Sequence, residues 1–347
     1  MKPATTDDVL DLLDAYFTSA ALGAAIELGL FWLLEQQPLD AAGVEAALGI
    51  PTKRCRYWLQ LLSRAGLIEQ VSDGYAPSRT ARTAILDAYS QDSWSLLANQ
   101  ARQRFPGLRD LPLHIREPGS AWATLGLTSP MYHAEMIENP EAARQFTRML
   151  HELHQPLADE LARSLDLSAV DRLMDLGGGS GVVSLALLRR HPHLTAVVVD
   201  IANVCAAGRE IAAEQSLEDR ISYHPTDFLR DELPSGFDMV LECDVDVYSE
   251  PLFRKVWTAL KPGGRFVIVD QLAPADGVAP PSRLHWAFQG SLIDPEFNFL
   301  TAADIQAQLE EAGFQLLSQD TLPQVRGVTE RFTSGSVLIE ACKSTAT

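Results

Sequence analysis

Val9, Leu12, Leu13, Tyr16 and Phe17 stand at i, i+3, i+4, i+7 and i+8, a helical period. The pattern predicts helical structure over residues 6–34. Its most apolar run, "SAALGAAIELGLFWLL" (Ser19–Leu34), holds Glu27 and two glycines and is short for a bilayer. Buried helices at a subunit contact are expected there. Residues 38–78 read as a short helix, a turn at Gly49–Pro51, a helix from about Thr52 to Ala65, and two short strands around Asp73–Gly74. That is the outline of a winged helix-turn-helix. Pro106, Pro112, Pro118 and Gly119 punctuate residues 90–127 as a connecting region. Asn139 and Pro140 then offer an N-cap and a first helical residue. Phe146, Leu150, Leu153, Leu157 and Leu161 continue at helical spacing, and Pro156 is expected to kink or divide that helix.

Beyond Leu167 strand-like and helical runs alternate. The order is Arg172–Leu176, a helix near Val182–Arg190, Thr195–Asp200, a helix near Val204–Glu214, Ser222–His224, Asp238–Glu242, a helix near Pro251–Leu260, and Arg265–Asp270. Such alternation predicts βαβ units and a mostly parallel α/β sheet. A helix over Ala302–Ala312 and two antiparallel edge strands, Phe314–Leu317 and Ser336–Ile339, complete the pattern.

The first of these strands runs straight into glycine: "RLMDLGGGSGVV", Arg172–Val183. Ligands of such sheets bind beyond the carboxyl ends of the strands, so Gly177, Gly178, Gly179 and Gly181 line the crevice. The spacing is G-x-G-x-G, and Val182 stands where a dinucleotide fingerprint has its last glycine. Asp175, just before the loop, suits a cationic ligand better than a pyrophosphate. Asp200 ends the second strand at the distance from the loop where a carboxylate accepts bonds from ribose hydroxyls. Asp227 and Phe228, after the third strand, are placed to hold an adenine amino group and ring face.

These pieces resemble the class I S-adenosylmethionine (SAM) methyltransferases. Over nearly the whole chain the sequence resembles the small-molecule O-methyltransferase family, which includes plant caffeate, animal hydroxyindole and bacterial polyketide O-methyltransferases. The likeness is carried by "DLGGGSG" (Asp175–Gly181), "VVD" ending at Asp200, "TDF" (Thr226–Phe228), "ALKPGGRFVIVD" (Ala259–Asp270) and "EEAGF" (Glu310–Phe314). It implies a Rossmann-like SAM-binding domain over 166–347, a helical winged-helix dimerisation domain over 1–90, and a helical connecting and substrate-capping region over 91–165. It implies SAM as cofactor, held by Asp175, Gly177, Gly179, Gly181, Asp200, Ile201, Asp227, Phe228, Glu242 and Cys243. Gly263 and Gly264 become the turn before the last parallel strand. The stretch "MYHAEMIENPEAARQFTRML" resembles the family's segment that closes over the substrate, which brings Tyr132 and Met149 to the acceptor.

One family feature is missing. The resemblance implies a histidine base in an H-D-W motif after the fourth strand, but "MVLECDVDVYSEPLFRKVW" (Met239–Trp257) has no histidine. Asp244, Asp246, Tyr248 and Glu250 stand there instead, and Tyr248 is the residue expected to assist, with the two aspartates as exposed, weak bases. The alternative is a polar loop at a strand end. "VYS" with "LHWAF" (Leu284–Phe288) bears a fainter likeness to the bacteriochlorophyllide C-methyltransferases, which puts His285 and Trp286 on the substrate side. His151 and His154 in "MLHELHQP" are further candidates to orient the acceptor or to act as base. Asp244 or Asp246 with His285 has metal-ligand chemistry, but the spacing requires no metal and none is expected.

Composition narrows the partners. The 347 residues suit about two domains. The net charge of −18 repels phosphate backbones, so the winged helix is expected to dimerise rather than bind DNA, despite Lys53, Arg54, Arg56 and Arg64. The four cysteines form no C-x-x-C pair and fit a reduced, cytoplasmic setting without membrane attachment. Together these features predict a homodimeric methyltransferase acting on an oxygen or carbon of a hydrophobic aromatic or polycyclic molecule of secondary or pigment metabolism. Two other readings compete: a protein that uses SAM for something other than methylation, and a ligand-sensing winged-helix regulator.

Overall fold

The computed structural model describes residues 2–127, 132–322 and 335–344, with the backbone alone at 132 and 133. The chain divides into two compact units, 1–109 and 110–347.

In the first unit, helix α1 (Thr6–Glu27) starts at a capping box. The Thr5 hydroxyl accepts the Asp8 N–H at 3.2 Å, and the Asp8 carboxylate accepts the Thr5 N–H at 2.8 Å. Gly29, left-handed at φ +72°, separates α1 from α2 (Leu30–Gln36), so the helical stretch expected over 6–34 is two helices. Then come α3 (Ala41–Leu48), α4 (Thr52–Arg64) and an antiparallel hairpin of β1 (Ile68–Val71) and β2 (Gly74–Pro77), the element order expected from sequence. Leu30, Phe31, Leu34, Leu59 and Leu62 form the buried centre. Helix α5 (Gln91–Arg109) packs on α1, and Arg102 pairs with Glu27 at 3.2 Å. This stretch, assigned above to the connecting region, therefore lies with the first unit. Along α1 Leu12, Leu13, Tyr16 and Phe17 remain exposed. At 22 residues α1 is also long and apolar enough to cross a membrane, by length and composition alone, which the shorter Ser19–Leu34 run did not suggest.

In the second unit, α6 (Tyr132–Glu138) leads into α7 (Pro140–Ser164). Asn139 caps α7 through bonds from the Glu141 and Ala142 N–H groups. Pro156 lies inside α7 without dividing it. An interior proline costs about 3 kcal/mol, but Leu153, Leu157 and Leu161 are buried on one face, and each such side chain contributes about 1.5–3 kcal/mol. That face packs on α8 (Val182–Arg190) and α9 (Ala202–Glu214), so α7 belongs to the sheet-bearing unit.

The sheet has seven strands in the order β5-β4-β3-β6-β7-β9-β8. They are β3 (Arg172–Leu176), β4 (Thr195–Asp200), β5 (Ile221–Pro225), β6 (Phe237–Cys243), β7 (Leu260–Asp270), β8 (Phe314–Thr321) and β9 (Val337–Lys343). The first five are mutually parallel; β9 is antiparallel to β7 and β8. Of the two strands expected at an edge, only β8 is one. The buried Ile339 and Ala341 place β9 between its neighbours. Between Phe237 and Met239 the β6–β7 register shifts, and Gly263 and Gly264 sit in this irregularity within β7 rather than in a turn before it. Helix α10 (Glu250–Ala259) precedes β7, and α11 (Leu284–Ile293) and α12 (Ala302–Glu311) follow it. The chain winds outward from β3 through β4 to β5, then returns to β6 beside β3. That reversal is a switch point, and the loops after β3 and β6 open on one crevice.

Candidate active site

On the β3 side the crevice is built from backbone. Gly177, Gly179 and Gly181 have φ of +66°, +59° and +74°, a region that glycine enters freely. Gly177 also has no room for a side chain, since a Cβ would lie 2.9 Å from both methyls of Val245 in the loop after β6. At Gly179 a Cβ would meet nothing within 4 Å, so that backbone is open to a ligand. Asp200 ties the loop to the end of β4. One oxygen accepts the Gly179 N–H at 2.9 Å and the other accepts the Ile201 N–H at 2.7 Å. An open glycine backbone beside a strand-end carboxylate fits a ribose-bearing cofactor.

Asp175 does not face the crevice. Its carboxylate is buried under Gly178 and accepts the Ser184 hydroxyl at 2.6 Å. Burial pushes its pKa up to about 6. It is therefore not an open counter-charge for a cationic ligand. Ile201 is buried with Met136, Ala143 and Val204. Asp227 accepts the Leu229 N–H at 3.1 Å, and Phe228 packs half-buried on the core. Lys255 bonds the Phe228 carbonyl at 3.1 Å and steadies this loop.

The β6 side is acidic. Asp244 and Asp246 hold left-handed φ of +54° and +58°, uncommon outside glycine and costly unless the surroundings enforce it. With Asp270, at the end of the adjacent β7, they bring one carboxylate oxygen each within 4.8 Å of one another. Arg283 supplies a cation among them. It pairs with Asp244, lies 3.2 Å from Asp246 and 3.9 Å from Asp270, and donates through Nε to Gln271 at 2.9 Å.

His154 reaches the cluster from α7. Its Nε2 donates to Asp244 Oδ2 at 2.7 Å and its Nδ1 to the Leu150 carbonyl at 2.9 Å. Two acceptors on two ring nitrogens are satisfied together only by the imidazolium. Burial lowers the His154 pKa, but the bond and charge of Asp244 outweigh it and hold the ring above its ordinary value. Burial works the other way on Asp244, yet His154 and Arg283 hold it well below the carboxylate range. Asp244 is thus an enclosed ion-pair partner, not the exposed weak base expected from sequence.

Tyr248 bonds neither Asp244 nor Asp246; its hydroxyl donates to Asp270. Burial raises the phenol well above its usual pKa, so it stays protonated. Burial likewise raises Asp270, and also Asp246, although the Asp246 side chain stays 33% exposed, as expected from sequence. Glu242 is fully buried in β6. Neither carboxylate oxygen has a hydrogen-bond partner among the described residues, and the charges bearing on it are those of Asp270 and Asp246. Cys243 is half-buried against the core, and burial raises its thiol.

A cavity of about 260 Å³ opens beside the cluster, lined by Asp246, Tyr248, Trp286, Phe297 and Phe299 among others. The Trp286 ring meets Phe297 edge-on at 5.2 Å and Phe299 at 5.5 Å. His285 is exposed and is not part of this lining. His151 bonds Ser180 at 3.0 Å, with the Gln155 and Gln215 amides on its other nitrogen, so it joins α7 to the glycine loop and α9 rather than meeting the acidic cluster. Met149 is buried in α7. The Tyr132 side chain lies outside the described residues. Asp270, Arg283, Phe297 and Phe299 were not anticipated. Asp270 had a signal, since it closes a parallel strand as Asp200 does.

Comparison with known proteins follows the same division of the chain. Residues 10–87 match the O-methyltransferase dimerisation domain, and residues 111–315 match the O-methyltransferase domain. The chain is 28% identical to the N,N-dimethyltransferase OxyT of Streptomyces rimosus, over 93% of this chain and 95% of the relative. It is 29% identical to the L-tyrosine C(3)-methyltransferase of Streptomyces lavendulae, over 75% and 73%. Human N-acetylserotonin methyltransferase, solved in complex with SAM, superposes with a TM-score of 0.76 at 21% identity, covering 99% of this chain and 100% of that one.

Proposed function

From a chain that belongs to the O-methyltransferase family, with SAM as its cofactor, we infer methyl transfer to an oxygen or carbon of an aromatic small molecule without a histidine base after β6. One observation carries this reading. The Gly177–Val245 approach puts the glycine loop and the acidic loop side by side, so cofactor and acceptor share one crevice. When bound, SAM supplies a methyl group activated on a sulfonium.

The chain does the rest. Gly179 and Asp200 hold the cofactor side. Trp286, Phe297 and the Tyr248 ring orient a flat acceptor. Asp246, on the cavity wall, is the carboxylate that faces the acceptor. A base adds about 10²–10⁴-fold, whereas alignment of the reacting groups is worth about 7–11 kcal/mol. Positioning therefore dominates, and loss of the histidine is tolerable. The first unit serves a cytoplasmic homodimer through α1. The match to a dimerisation domain and the charge of −18 both favour this over DNA binding.

The test is incubation with methyl-labelled SAM and a panel of phenols, naphthols, indoles and aromatic amino acids. Label in an acceptor supports the reading. SAM binding without transfer to any aromatic class would instead favour use of SAM for another purpose.

A further inference from the structure

Resting on the methyltransferase reading, we propose that the acceptor binds as an aromatic cation, its protonated amine seated against Asp246 in front of Asp270 and Glu242, its ring against Trp286 and Tyr248. The argument starts from charge. Four carboxylates, those of Glu242, Asp244, Asp246 and Asp270, meet at the ends of β6 and β7. Among the described residues, Arg283 and His154 are the cations bonded to them, and both are bonded to Asp244. Among the described residues, the positive charge that faces Asp246 and Asp270 is one guanidinium nitrogen, at 3.2 and 3.9 Å, and the other donors to Asp270, the Tyr248 hydroxyl and the Gln271 N–H, are neutral. Glu242 gets no donor at all among the described residues.

A buried carboxylate with both oxygens unbonded is costly, by several kcal/mol if ionised. A site that keeps one beside two other acids is, among the described residues, short of positive charge. Burial, with the repulsion among the acids, makes all three retain protons more strongly than ordinary carboxylates, and Arg283 offsets this only in part at Asp246 and Asp270.

The cavity supplies the other half of the recognition. It opens on Asp246 and is walled by aromatic rings, whose faces attract cations. At about 260 Å³ it is small for a ligand pocket. One ring or two fused rings with a short amine arm suit it better than a polycycle. A divalent metal is the rival occupant, since the three aspartates stand at ligand distance. Arg283 already lies among them, however, and both Asp244 oxygens are taken.

The experiment is calorimetry on the full-length protein saturated with S-adenosylhomocysteine, using pairs that differ only by the amine: tyramine against 4-ethylphenol, and tryptamine against 3-ethylindole. The amines are expected to bind tenfold or more tightly than their neutral partners, and Asp246→Asn to erase that preference while S-adenosylhomocysteine still binds. Equal affinity within both pairs, or no binding of either member, overturns the proposal. So does tight Mg2+ or Zn2+ binding that Asp246→Asn abolishes while the amines show no preference, because the centre is then a metal site. Failure of S-adenosylhomocysteine itself to bind is a different result and overturns the methyltransferase reading instead. If Asp246→Asn does not fold, the wild-type pairs still decide, and Glu242→Gln, expected to weaken amine binding only, is the second variant.

Discussion

His154 Nε2 lies 2.7 Å from Asp244 Oδ2, joining the long helix before the sheet to the loop after β6 across 90 residues of sequence. The pair fixes the acidic loop in its left-handed turns and leaves neither partner free as a base. His154→Ala and Asp244→Asn should each lower stability by about 1–3 kcal/mol, the cost of leaving a charged hydrogen-bonding partner unmatched. The double variant should lose clearly less than the sum, because the two changes remove one interaction. Urea unfolding measures all three, and simple additivity would contradict the pairing.

Asp200→Ala should loosen the glycine loop and remove the carboxylate offered to the cofactor ribose. Hydrogen bonds to a charged group contribute about 1.5–3 kcal/mol each, so S-adenosylhomocysteine affinity should fall at least tenfold. Asp200→Asn should lie between. Unchanged binding in both variants would remove Asp200 from the site.

Tyr248→Phe keeps the ring against the cavity and deletes the hydroxyl that donates to Asp270. Turnover should fall about tenfold, at the low end of what a proton-transfer group provides, while cofactor affinity stays level. Asp246→Asn should cost more turnover than Tyr248→Phe if the aspartate holds the acceptor in place. The reverse order would return the chief role to the tyrosine.

His151 is neutral in the folded protein. Its Nδ1–H donates to Ser180 and its Nε2 accepts from two amides, while burial, with help from Arg189 and Arg148, holds its pKa down to about 4. The unfolded chain takes up this proton near pH 6.5 and the folded chain only near 4. The contribution to stability is therefore present above 6.5 and is lost as pH falls toward 4, by up to about 3 kcal/mol before allowance for partial exposure. His151→Gln should flatten that part of the stability profile in denaturant melts. An identical slope in wild type and variant would refute the assignment.

Leu13 and Phe17 lie on the exposed apolar row of α1. Leu13→Asp with Phe17→Asp should shift the protein from dimer toward monomer in light scattering, with S-adenosylhomocysteine binding retained. A wild-type monomer at micromolar concentration would overturn the dimer.

Much of this molecule is written in local pattern. A period of two against 3.6 marks the strands and helices after Leu167, and the crowded glycines with Asp200 mark the crevice proposed for the cofactor, because strand, turn and helix geometry depend on near neighbours. The same locality let the missing histidine be seen and put Asp244, Asp246 and Tyr248 in its place. What those residues bond to was decided by partners far along the chain. Asp244 meets His154 and Arg283, and Tyr248 meets Asp270 rather than either nearby aspartate. Each comes from a different element, and only packing brings them within bonding distance. Burial raises all four carboxylates, but His154 and Arg283 outweigh it at Asp244, whereas Arg283 alone does not at Asp246 and Asp270 and no cation is bonded to Glu242 among the described residues. A carboxylate's role follows from what surrounds it, and for these four the surroundings exist only once the sheet has assembled.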